Sequence, residues 1–244
     1  MSIIDSFKQF IRRKQFEPGV AGMFVNPFYF ARKGLYRHIQ EFAPQMSGTV
    51  LDVGCGRKPY ERLFCVDRYI GLEFNQSGNR SGDSADVYYD GNRFPFRDGE
   101  FDNGFASEVF EHIFNPLGFL SELNRVVKIN GFVLMTVPFL WPEHMQPLDF
   151  GRYSSFGLRA LLEQRGFEIL HERKSMTGIR AIMQLWNVFV YRKTETRNGT
   201  LNFLFCLFLI APWNFLGELL SLLLPDNKEI YLDTSILARK IKNL

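Results

Sequence analysis

The stretch that decides the fold is residues 49–56, Thr-Val-Leu-Asp-Val-Gly-Cys-Gly. Its β-branched and apolar run at 49–53 predicts a buried strand, and the two glycines predict a tight turn directly after it. Glycine in such a turn lets bare backbone come close to a ligand. Backbone N–H groups that follow the turn can bind an anion such as a carboxylate. The stretch therefore predicts a strand that leads into a ligand-binding turn.

Strand and helix signals alternate along the rest of the chain. Helices are predicted at 115–127 and from Ser154 or Ser155 to Arg165, whereas only a short crossover helix fits near 59–64. The predicted strands are 49–53, 69–74, 85–89, 101–107, 132–137, 167–171 and 234–239. This alternation indicates an α/β fold with a doubly wound, Rossmann-like, mostly parallel seven-stranded sheet and helices on both of its faces.

The composition is that of a globular protein and excludes several other classes. The chain has 244 residues, of which 46% are hydrophobic and 23% charged, so it is neither collagen-like nor disordered. Three scattered cysteines exclude a disulfide framework and a CxxC metal knuckle. Four histidines without HxxxH or HExxH spacing predict no metal site. A net charge of +3 does not by itself indicate a nucleic-acid partner.

Two segments outside the predicted sheet are unusual. The first 40 residues contain seven lysines and arginines but two acidic residues, interleaved with aromatic side chains. Leu201–Leu224 contains 18 apolar residues of 24, although Pro212 and Glu218 argue against a straight spanning helix. We therefore divide the chain into four parts: a basic N-terminal segment 1–45, a core 46–175, an apolar helical insertion 176–229, and a final strand with a basic tail 230–244.

Both segments have two interpretations. The N-terminal segment either packs its aromatic side chains on the core or meets anionic lipid headgroups. The apolar stretch 179–224 either forms a packed helical subdomain or dimer interface, or contacts a membrane surface as a peripheral or monotopic element. Because the chain does not begin with the pattern of a signal peptide, we expect a cytoplasmic protein at the inner membrane face.

Three carboxylates are predicted at the ends of successive strands. Asp52, inside the first turn, suits a cationic ammonium, and Pro59 stands where a dinucleotide fingerprint needs glycine or alanine. Glu73 ends the second strand, where an acid accepts hydrogen bonds from both ribose hydroxyls. Asp90 follows the third strand and can accept a hydrogen bond from an adenine amino group. Together they predict one nucleoside-bearing cofactor with an amino-acid moiety.

These residues also carry a resemblance to a known family. LDVGCG at 51–56, the glutamate of YIGLEF at 69–74, Asp90 with FPFRDGEFD at 94–102, and SEVFEHI at 107–113 resemble class I S-adenosylmethionine-dependent methyltransferases of the type 11 family. The resemblance covers roughly residues 45–175 and the final strand. The lead NPFYFARKGLYRHI at 26–39 and the apolar insertion also resemble methyltransferase-domain proteins of bacterial surface-polysaccharide gene clusters.

The resemblance implies S-adenosyl-L-methionine as the cofactor. Its methionine end would lie at the glycine turn, its ribose at Glu73, its adenine at Asp90, and its methyl group near the residues that follow the fourth strand. The expected cofactor-binding residues are Asp52, Gly54, Cys55, Gly56, Glu73, Asp90, Ser107 and Glu108. The sequence departs from the family pattern at Arg57-Lys58-Pro59, where many members have a small residue followed by glycine.

The acceptor side is predicted at the loops after the fourth and fifth strands. Residues 138–153, PFLWPEHMQPLDFGRY, contain more titratable and aromatic side chains than a connector needs. The candidate catalytic residues are His144, as a general base for a hydroxyl proton, with Glu111 and His112. The alternative is that Glu111 and His112 only tie the loop. The candidate substrate-binding residues are Glu143, Asp149, Arg152 and Tyr153.

The leading hypothesis is therefore a methyltransferase that acts on a small-molecule, sugar or lipid-linked acceptor at the inner membrane face. An RNA methyltransferase is a second hypothesis, which the basic segment permits, although the sequence has no recognisable RNA-binding module. A non-catalytic S-adenosylmethionine-binding scaffold is a third, and the intact set of Asp52, Glu73 and Asp90 argues against it. The sequence favours neither oxygen nor nitrogen as the methyl acceptor.

Overall fold

The structure is a computed structural model that describes residues 16–75 and 84–244. The first part of the basic N-terminal segment, with its aromatic and basic residues before Phe16, lies outside the described residues. The chain divides into two compact units. The helical unit comprises the described residues up to Arg37, Leu140–Pro142 and Lys174–Asp233. The sheet unit comprises His38–Phe139, Glu143–Arg173 and Thr234–Leu244.

A seven-stranded sheet confirms the predicted fold class. The strands are β1 Thr49–Val53, β2 Arg68–Phe74, β3 Val87–Tyr89, β4 Asn103–Ser107, β5 Phe132–Pro138, β6 Phe167–Lys174 and β7 Asp233–Lys240. Their order is β3-β2-β1-β4-β5-β7-β6, and β1 pairs in parallel with both β2 and β4. The chain runs outward from β1 to β3 and then returns to the other side of β1. This reversal creates a crevice at the carboxyl ends of β1 and β4, where such sheets bind ligands.

Two helices of the sheet unit begin at side-chain caps, and the sequence predicts the one at Ser154. The Asn115 side chain accepts a hydrogen bond from Gly118 N at the start of helix α3, Pro116–Val126. The Ser154 side chain accepts one from Gly157 N at the start of helix α4, Ser155–Gln164. Gly166, with a φ of 76°, follows the end of α4. The predicted crossover helix near 59–64 is only a 3-10 turn. The helices and turns of this part of the chain are α2 Tyr29–Phe42, α3 Pro116–Val126, α4 Ser155–Gln164, and the 3-10 turns Ala43–Gln45, Glu61–Leu63 and Phe110–His112.

The core of the sheet unit fixes the strand ends. Leu51 and Val53 of β1 and Leu72 of β2 are fully buried, as are Leu120 and Leu123 on one face of α3. Burying a leucine or valine side chain stabilises the fold by about 1.5–3 kcal/mol. The residues that follow β1 and β2 therefore extend from strand ends that the buried core holds in place.

The helical unit contains the apolar insertion, which lies between β6 and β7 as predicted. The helical segments of this unit are α1 Gly22–Val25, which precedes the insertion, and, within the insertion, α5 Ile179–Thr194, α6 Gly199–Phe205, the π-helical turn Cys206–Ile210, and α7 Ala211–Leu223. Pro212 lies in the first turn of α7, where the missing N–H costs no helical hydrogen bond. The stretch Gly199–Leu223 is long and apolar enough to span a membrane, and 28% of its most apolar window is buried.

Three amide side chains of this insertion, Gln184, Asn187 and Asn214, lie buried inside the helical unit, whereas many of its large apolar residues are exposed. Gln184 is buried, accepts a hydrogen bond from Phe30 N at 2.9 Å, and donates one to Pro27 O at 2.9 Å. Asn187 is also buried and donates to Asn214 Oδ1 at 2.8 Å. The exposed apolar side chains include Trp186, Phe189, Phe208, Trp213, Phe215, Leu219 and Leu222. This distribution is the reverse of an ordinary water-soluble surface helix.

Candidate functional site

A cavity of about 620 Å³ opens at the carboxyl edge of the sheet unit. Its walls are the turn after β1, the ends of β2 and β3, the segment from Glu108 to Phe119, and part of the loop after β5. The volume lies within the range of small-molecule and cofactor sites. The predicted cofactor-binding residues that line it are Gly54, Gly56, Glu73, Asp90 and Glu108.

The turn after β1 presents backbone to this cavity. Gly54 has a φ of 71° and Gly56 a φ of 49°, both in the left-handed region that favours glycine. A Cβ atom on Gly54 would lie 2.3 Å from Cγ2 of Val109. One on Gly56 would meet no atom within 4 Å. Gly54 is therefore required by packing, whereas Gly56 leaves open space for a ligand against the backbone.

Glu73 and Asp90 are brought to the same cavity from neighbouring strands. Glu73 Oε2 accepts a hydrogen bond from Gly56 N at 2.8 Å, which fixes the carboxylate beside the turn. Each carboxylate oxygen has a second lone pair that a hydroxyl can use. Asp90 accepts hydrogen bonds from the backbone and side chain of Asn92, and these lower its pKa. Both acids are thus placed as hydrogen-bond acceptors, as a ribose and an adenine amino group require.

Asp52 occupies a different place. Its carboxylate is buried, accepts a hydrogen bond from Tyr69 Oη at 2.8 Å, and is not among the described residues that line the cavity. Burial raises the pKa of Asp52 to about 7, although the Tyr69 hydrogen bond opposes this rise. Cys55 and Ser107 are likewise not among these lining residues. Cys55 is buried, and the Ser107 hydroxyl lies 2.8 Å from Thr136 Oγ1.

We expect the Asp52→Asn variant of the cofactor-free chain to be more stable than the natural chain at pH 8. Because burial holds the pKa of Asp52 in the folded chain above its ordinary value of 3.8, the stability contributed by the protonated acid is present at low pH and is lost as the pH rises through about 7. Asparagine does not ionise and escapes this loss, which is at least about 1.4 kcal/mol, the free energy of a tenfold change in proton affinity. Thermal unfolding between about pH 5 and pH 9 measures it. A stability difference that does not change with pH would contradict the prediction.

The departure from the family pattern at Lys58 has a structural role. Lys58 has a φ of 50°, and its ammonium group pairs with Asp86 Oδ2. The same carboxylate oxygen accepts a hydrogen bond from Gly71 N at 2.7 Å. Lys58 therefore ties the turn to the residues before β3, and the space beside Gly56 stays open.

On the acceptor side, Glu111, His112 and His144 meet in one cluster. Nε2 of His112 lies 3.5 Å and Nε2 of His144 lies 3.7 Å from Glu111 Oε1. The Glu111 side chain is fully buried. The loop after β5 is held to this point because Phe150 N and Gly151 N donate to Glu111 O at 2.8 and 3.1 Å. These backbone contacts bring residues from two separate loops together.

Asp149 and Arg152 lie behind His144. Nδ1 of His144 is 3.3 Å from Asp149 Oδ2 and 3.4 Å from Arg152 Nη2. Arg152 donates to the two oxygens of Asp149 at 2.6 and 2.7 Å. Burial acts to raise the pKa of Asp149, but Arg152 and the backbone N–H of His144 lower it to about 2. Arg152 Nη2 can only donate, but it already donates to Asp149 Oδ2 at 2.7 Å. We therefore assign the Nδ1 hydrogen of His144 to the nearer Asp149 carboxylate, which leaves the lone pair on Nε2, the nitrogen on the side of Glu111.

The other two predicted substrate-binding residues, Glu143 and Tyr153, make different contacts. Glu143 accepts a hydrogen bond from Gln146 Nε2 at 3.3 Å. Tyr153 packs on Phe110 with ring centroids 4.9 Å apart, and burial raises its pKa. Of the predicted acceptor-side residues, His112 is the one found among the described lining residues.

The sequence reasoning missed an apolar rim on the cavity, formed by Phe114, Met145 and Phe150. All three line the cavity and are exposed, Phe114 by 81%. The Phe114 and Phe150 rings meet edge to face at 5.4 Å. The available signal was the position of these apolar residues directly beside the predicted catalytic histidines. An exposed apolar rim of this kind fits the apolar portion of a ligand.

Comparison with known proteins gave one sequence-family match. Residues 51–135 match the family described as "Methyltransferase domain". No curated protein matched the chain by sequence. The matched residues contain the turn after β1, Glu73, Asp90 and the Glu111–His112 pair.

Several solved structures share the fold. A provisionally assigned methyltransferase of Bacillus halodurans C-125 is 19% identical, with a TM-score of 0.53 over 86% of this chain and 100% of that chain. Phosphoethanolamine N-methyltransferase 2 of Haemonchus contortus, in complex with phosphomonomethylethanolamine and S-adenosylhomocysteine, is 16% identical, with a TM-score of 0.56 over 95% and 57%. The [4+2]-cyclase SpnF is 15% identical, with a TM-score of 0.52 over 87% and 83%. At these identities the similarity establishes the fold alone, which proteins with different reactions share.

Proposed function

We propose that this chain, an S-adenosylmethionine-dependent methyltransferase by the domain at residues 51–135, methylates a hydroxyl oxygen of a small-molecule, sugar or lipid-linked acceptor at the inner membrane surface. The observation that carries the oxygen acceptor is the cluster of Glu111, His112 and His144 with Asp149 behind it. An amine acceptor is already a nucleophile when neutral, whereas a hydroxyl must lose its proton. A buried acid with two imidazoles supports the second case.

The residues along the cavity support one orientation of the bound cofactor, with its methionine end at the turn after β1 and its adenine at Asp90. The backbone at Gly56 has open space for the methionine end, Glu73 offers lone pairs to the ribose hydroxyls, and Asp90 offers one to the adenine amino group. Glu108, which accepts a hydrogen bond from Thr136 Oγ1 at 3.0 Å, lies on the side of the methyl group. S-adenosylmethionine supplies an electrophilic methyl group on a sulfonium. The protein's part is to align the acceptor oxygen with it, within ~3–3.5 Å of the methyl carbon.

His144 is the residue that we assign to the reacting hydroxyl. Asp149 holds its Nδ1 side, so the Nε2 lone pair faces the buried Glu111. His112 lines the cavity, and its ring packs on that of His144 with centroids 4.7 Å apart. An acceptor hydroxyl that enters beside His112 would meet this lone pair, and an imidazole held by a carboxylate is suited to accept its proton. With S-adenosylmethionine bound, His144 Nε2 would take the hydroxyl proton as the acceptor oxygen displaced the methyl group from the sulfonium.

The rim supports an acceptor with an apolar portion. Phe114, Met145 and Phe150 offer exposed apolar surface beside His112 at the cavity. A sugar attached to a lipid carrier combines the two features that the cavity offers, namely hydroxyl groups for the polar cluster and an apolar chain for the rim.

The helical unit supports a membrane location. Phe208, Phe215 and Leu222 are 68%, 61% and 78% exposed. Arg192 and Lys193 are exposed in the last turn of α5, where cations attract anionic headgroups. A single crossing by Gly199–Leu223 would separate β6 from β7, which are neighbours in one sheet. We therefore propose that this stretch lies in the membrane interface as a monotopic element.

Vesicle flotation tests the membrane location. The full chain is expected to float with vesicles that contain phosphatidylglycerol and to float less with neutral phosphatidylcholine vesicles. A variant with Phe208→Glu, Phe215→Glu and Leu222→Glu should stay at the bottom because charged side chains cannot enter the apolar layer. The matched control is Glu163→Ala on α4, an exposed position in the sheet unit. A natural chain that stays at the bottom with both vesicles would contradict the prediction, and a dimer in light scattering would point to a second copy as the partner.

Acceptor panels test the proposed reaction. The purified chain is incubated with methyl-labelled S-adenosylmethionine and either hydroxyl acceptors, such as free and polyprenyl-linked sugars, or primary amines. We expect label in an alkali-stable methyl ether on a sugar hydroxyl. Methylation of amines alone would refute the oxygen acceptor while leaving the methyltransferase assignment intact.

A further inference from the structure

We propose that Glu111, His112 and His144 also bind a divalent transition-metal ion at the acceptor end of the cavity. One ligand atom from each of the three side chains lies within 4.8 Å of the others. The histidine spacing in the sequence predicts no such site, because the two imidazoles come from different loops. The binding site stands on geometry alone, whereas the role given to the ion below rests on the proposed function.

The distances match what a small metal ion needs. Nε2 of His112 and Nε2 of His144 lie 3.5 and 3.7 Å from Glu111 Oε1. Around a tetrahedral zinc ion with bonds of about 2.1 Å, neighbouring ligand atoms are about 3.4 Å apart. The two distances to Glu111 are within about 0.3 Å of this separation, and the ligand atoms of the two histidines lie within 4.8 Å of each other. The two imidazole rings, with centroids 4.7 Å apart and planes at 71°, approach from different directions.

The second nitrogen of each imidazole is held as in metal sites. Nδ1 of His112 is 2.5 Å from Leu148 O, a carbonyl that can only accept, so Nδ1 carries the hydrogen. Nδ1 of His144 faces the Asp149 carboxylate, which is paired with Arg152. Metal-binding histidines commonly donate this N–H to a backbone carbonyl or a carboxylate. Both Nε2 lone pairs are then turned toward an acid that is itself an acceptor.

A metal ion bound by these three side chains would place a positive charge beside the Glu111 carboxylate. The Glu111 side chain is fully buried, and burying an ionised carboxylate is costly unless a cation compensates it. Two imidazole nitrogens and one carboxylate oxygen select first-row transition metals, since Mg²⁺ and Ca²⁺ prefer sets of oxygen ligands. Three protein ligands also leave at least one coordination position for a further oxygen.

The open position gives the ion a role in the proposed reaction. A hydroxyl oxygen bound to the ion has a lower pKa, so it loses its proton to solvent water more readily. The oxygen then forms its bond to the methyl carbon while the sulfur–carbon bond breaks. In the metal-bound form, His144 acts on the hydroxyl only indirectly, by holding the ion. In the metal-free form, His144 accepts the hydroxyl proton itself.

Calorimetric titration of the full, tag-free and chelator-treated chain with Zn²⁺ and with Mn²⁺ tests the site. We expect one equivalent to bind, and Glu111→Gln and His144→Ala each to weaken the binding at least ~10-fold, because outer contacts alone contribute that much. The matched control is His171→Ala. His171 is exposed on β6 and stacks on Phe42, so its loss should leave metal binding unchanged. Binding of S-adenosylmethionine by the same preparations shows that each variant is folded.

The outcomes separate this site from the proposed function. If the natural chain binds neither ion, or if His171→Ala weakens binding as much as His144→Ala, the metal site is refuted. If methyl transfer to a hydroxyl continues at the same rate in the chelator-treated chain, the ion has no role in the reaction and the proposed function stands. If one equivalent binds at the three side chains but hydroxyl acceptors gain no methyl group, the metal site stands and the proposed function fails.

Discussion

Replacing His144 by alanine is expected to lower the rate of methyl transfer at least ~100-fold, the usual scale of general acid–base effects. The affinity for S-adenosylmethionine should not change, because Glu73, Asp90 and the turn after β1 are untouched. The physical reason is that alanine removes the lone pair that faces Glu111 from 3.7 Å, and with it the group that serves the acceptor hydroxyl. Turnover with saturating acceptor measures the first quantity, and titration calorimetry measures the second.

Two further variants complete this experiment. Asp149→Asn keeps the size of the side chain but removes the charge behind His144, so the rate should fall while cofactor binding persists. His171→Ala removes an imidazole elsewhere on the sheet unit and should retain the natural rate. Near-normal turnover by His144→Ala would remove His144 from the mechanism and return nitrogen acceptors to consideration.

Replacing Glu73 by alanine is expected to weaken the binding of S-adenosylmethionine at least ~100-fold. With the ribose placed as proposed, the variant would lose two hydrogen bonds from its hydroxyls to a carboxylate, each contributing about 1.5–3 kcal/mol. It also loses the acceptor of Gly56 N, so the turn after β1 is no longer tied to the end of β2. A loss of about 3 kcal/mol corresponds to more than a hundredfold change in the dissociation constant.

Calorimetry on the Glu73 variants decides this prediction. Glu73→Gln keeps an oxygen acceptor but loses the charge, so its affinity should fall between those of the natural chain and Glu73→Ala. The control is Glu163→Ala on α4, which removes an exposed acid that pairs with Arg159. Unchanged affinity in Glu73→Ala would place the ribose elsewhere. A folded natural chain that does not bind the cofactor would favour the scaffold hypothesis.

The sheet was predictable because its signals are local. β-branched runs, glycine turns and side-chain caps act within a few residues, so β1 at Thr49–Val53 coincides with its prediction, and Ser154 caps a helix as expected. Glu73 and Asp90 meet at one cavity for an equally simple reason. Their strands are parallel neighbours, and the carboxyl ends of parallel strands lie on the same edge.

The place of the Asp52 carboxylate required the tertiary structure. A position beside the glycine turn indicates a contact with the ligand, but the side-chain direction depends on what packs beneath β1. Tyr69 lies beside Val50 in the neighbouring parallel strand, and its hydroxyl donates a hydrogen bond to the Asp52 carboxylate. Neither the strand pattern nor the glycine spacing contains that contact.

The α/β fold, the turn after β1 and the acids at the ends of β2 and β3 could all be predicted from the residue pattern, because each depends on short-range patterns and on strand direction. Only the tertiary structure decided that Glu111, His112 and His144 form one cluster and that Asp149 and Arg152 stand behind it. Phe150 N and Gly151 N must first bond to Glu111 O before the loop after β5 lies against the 3-10 turn. No repeating pattern in the sequence signals such a contact, because it joins two loops that are distant along the chain. The contact forms only when backbone hydrogen bonds hold the two loops together.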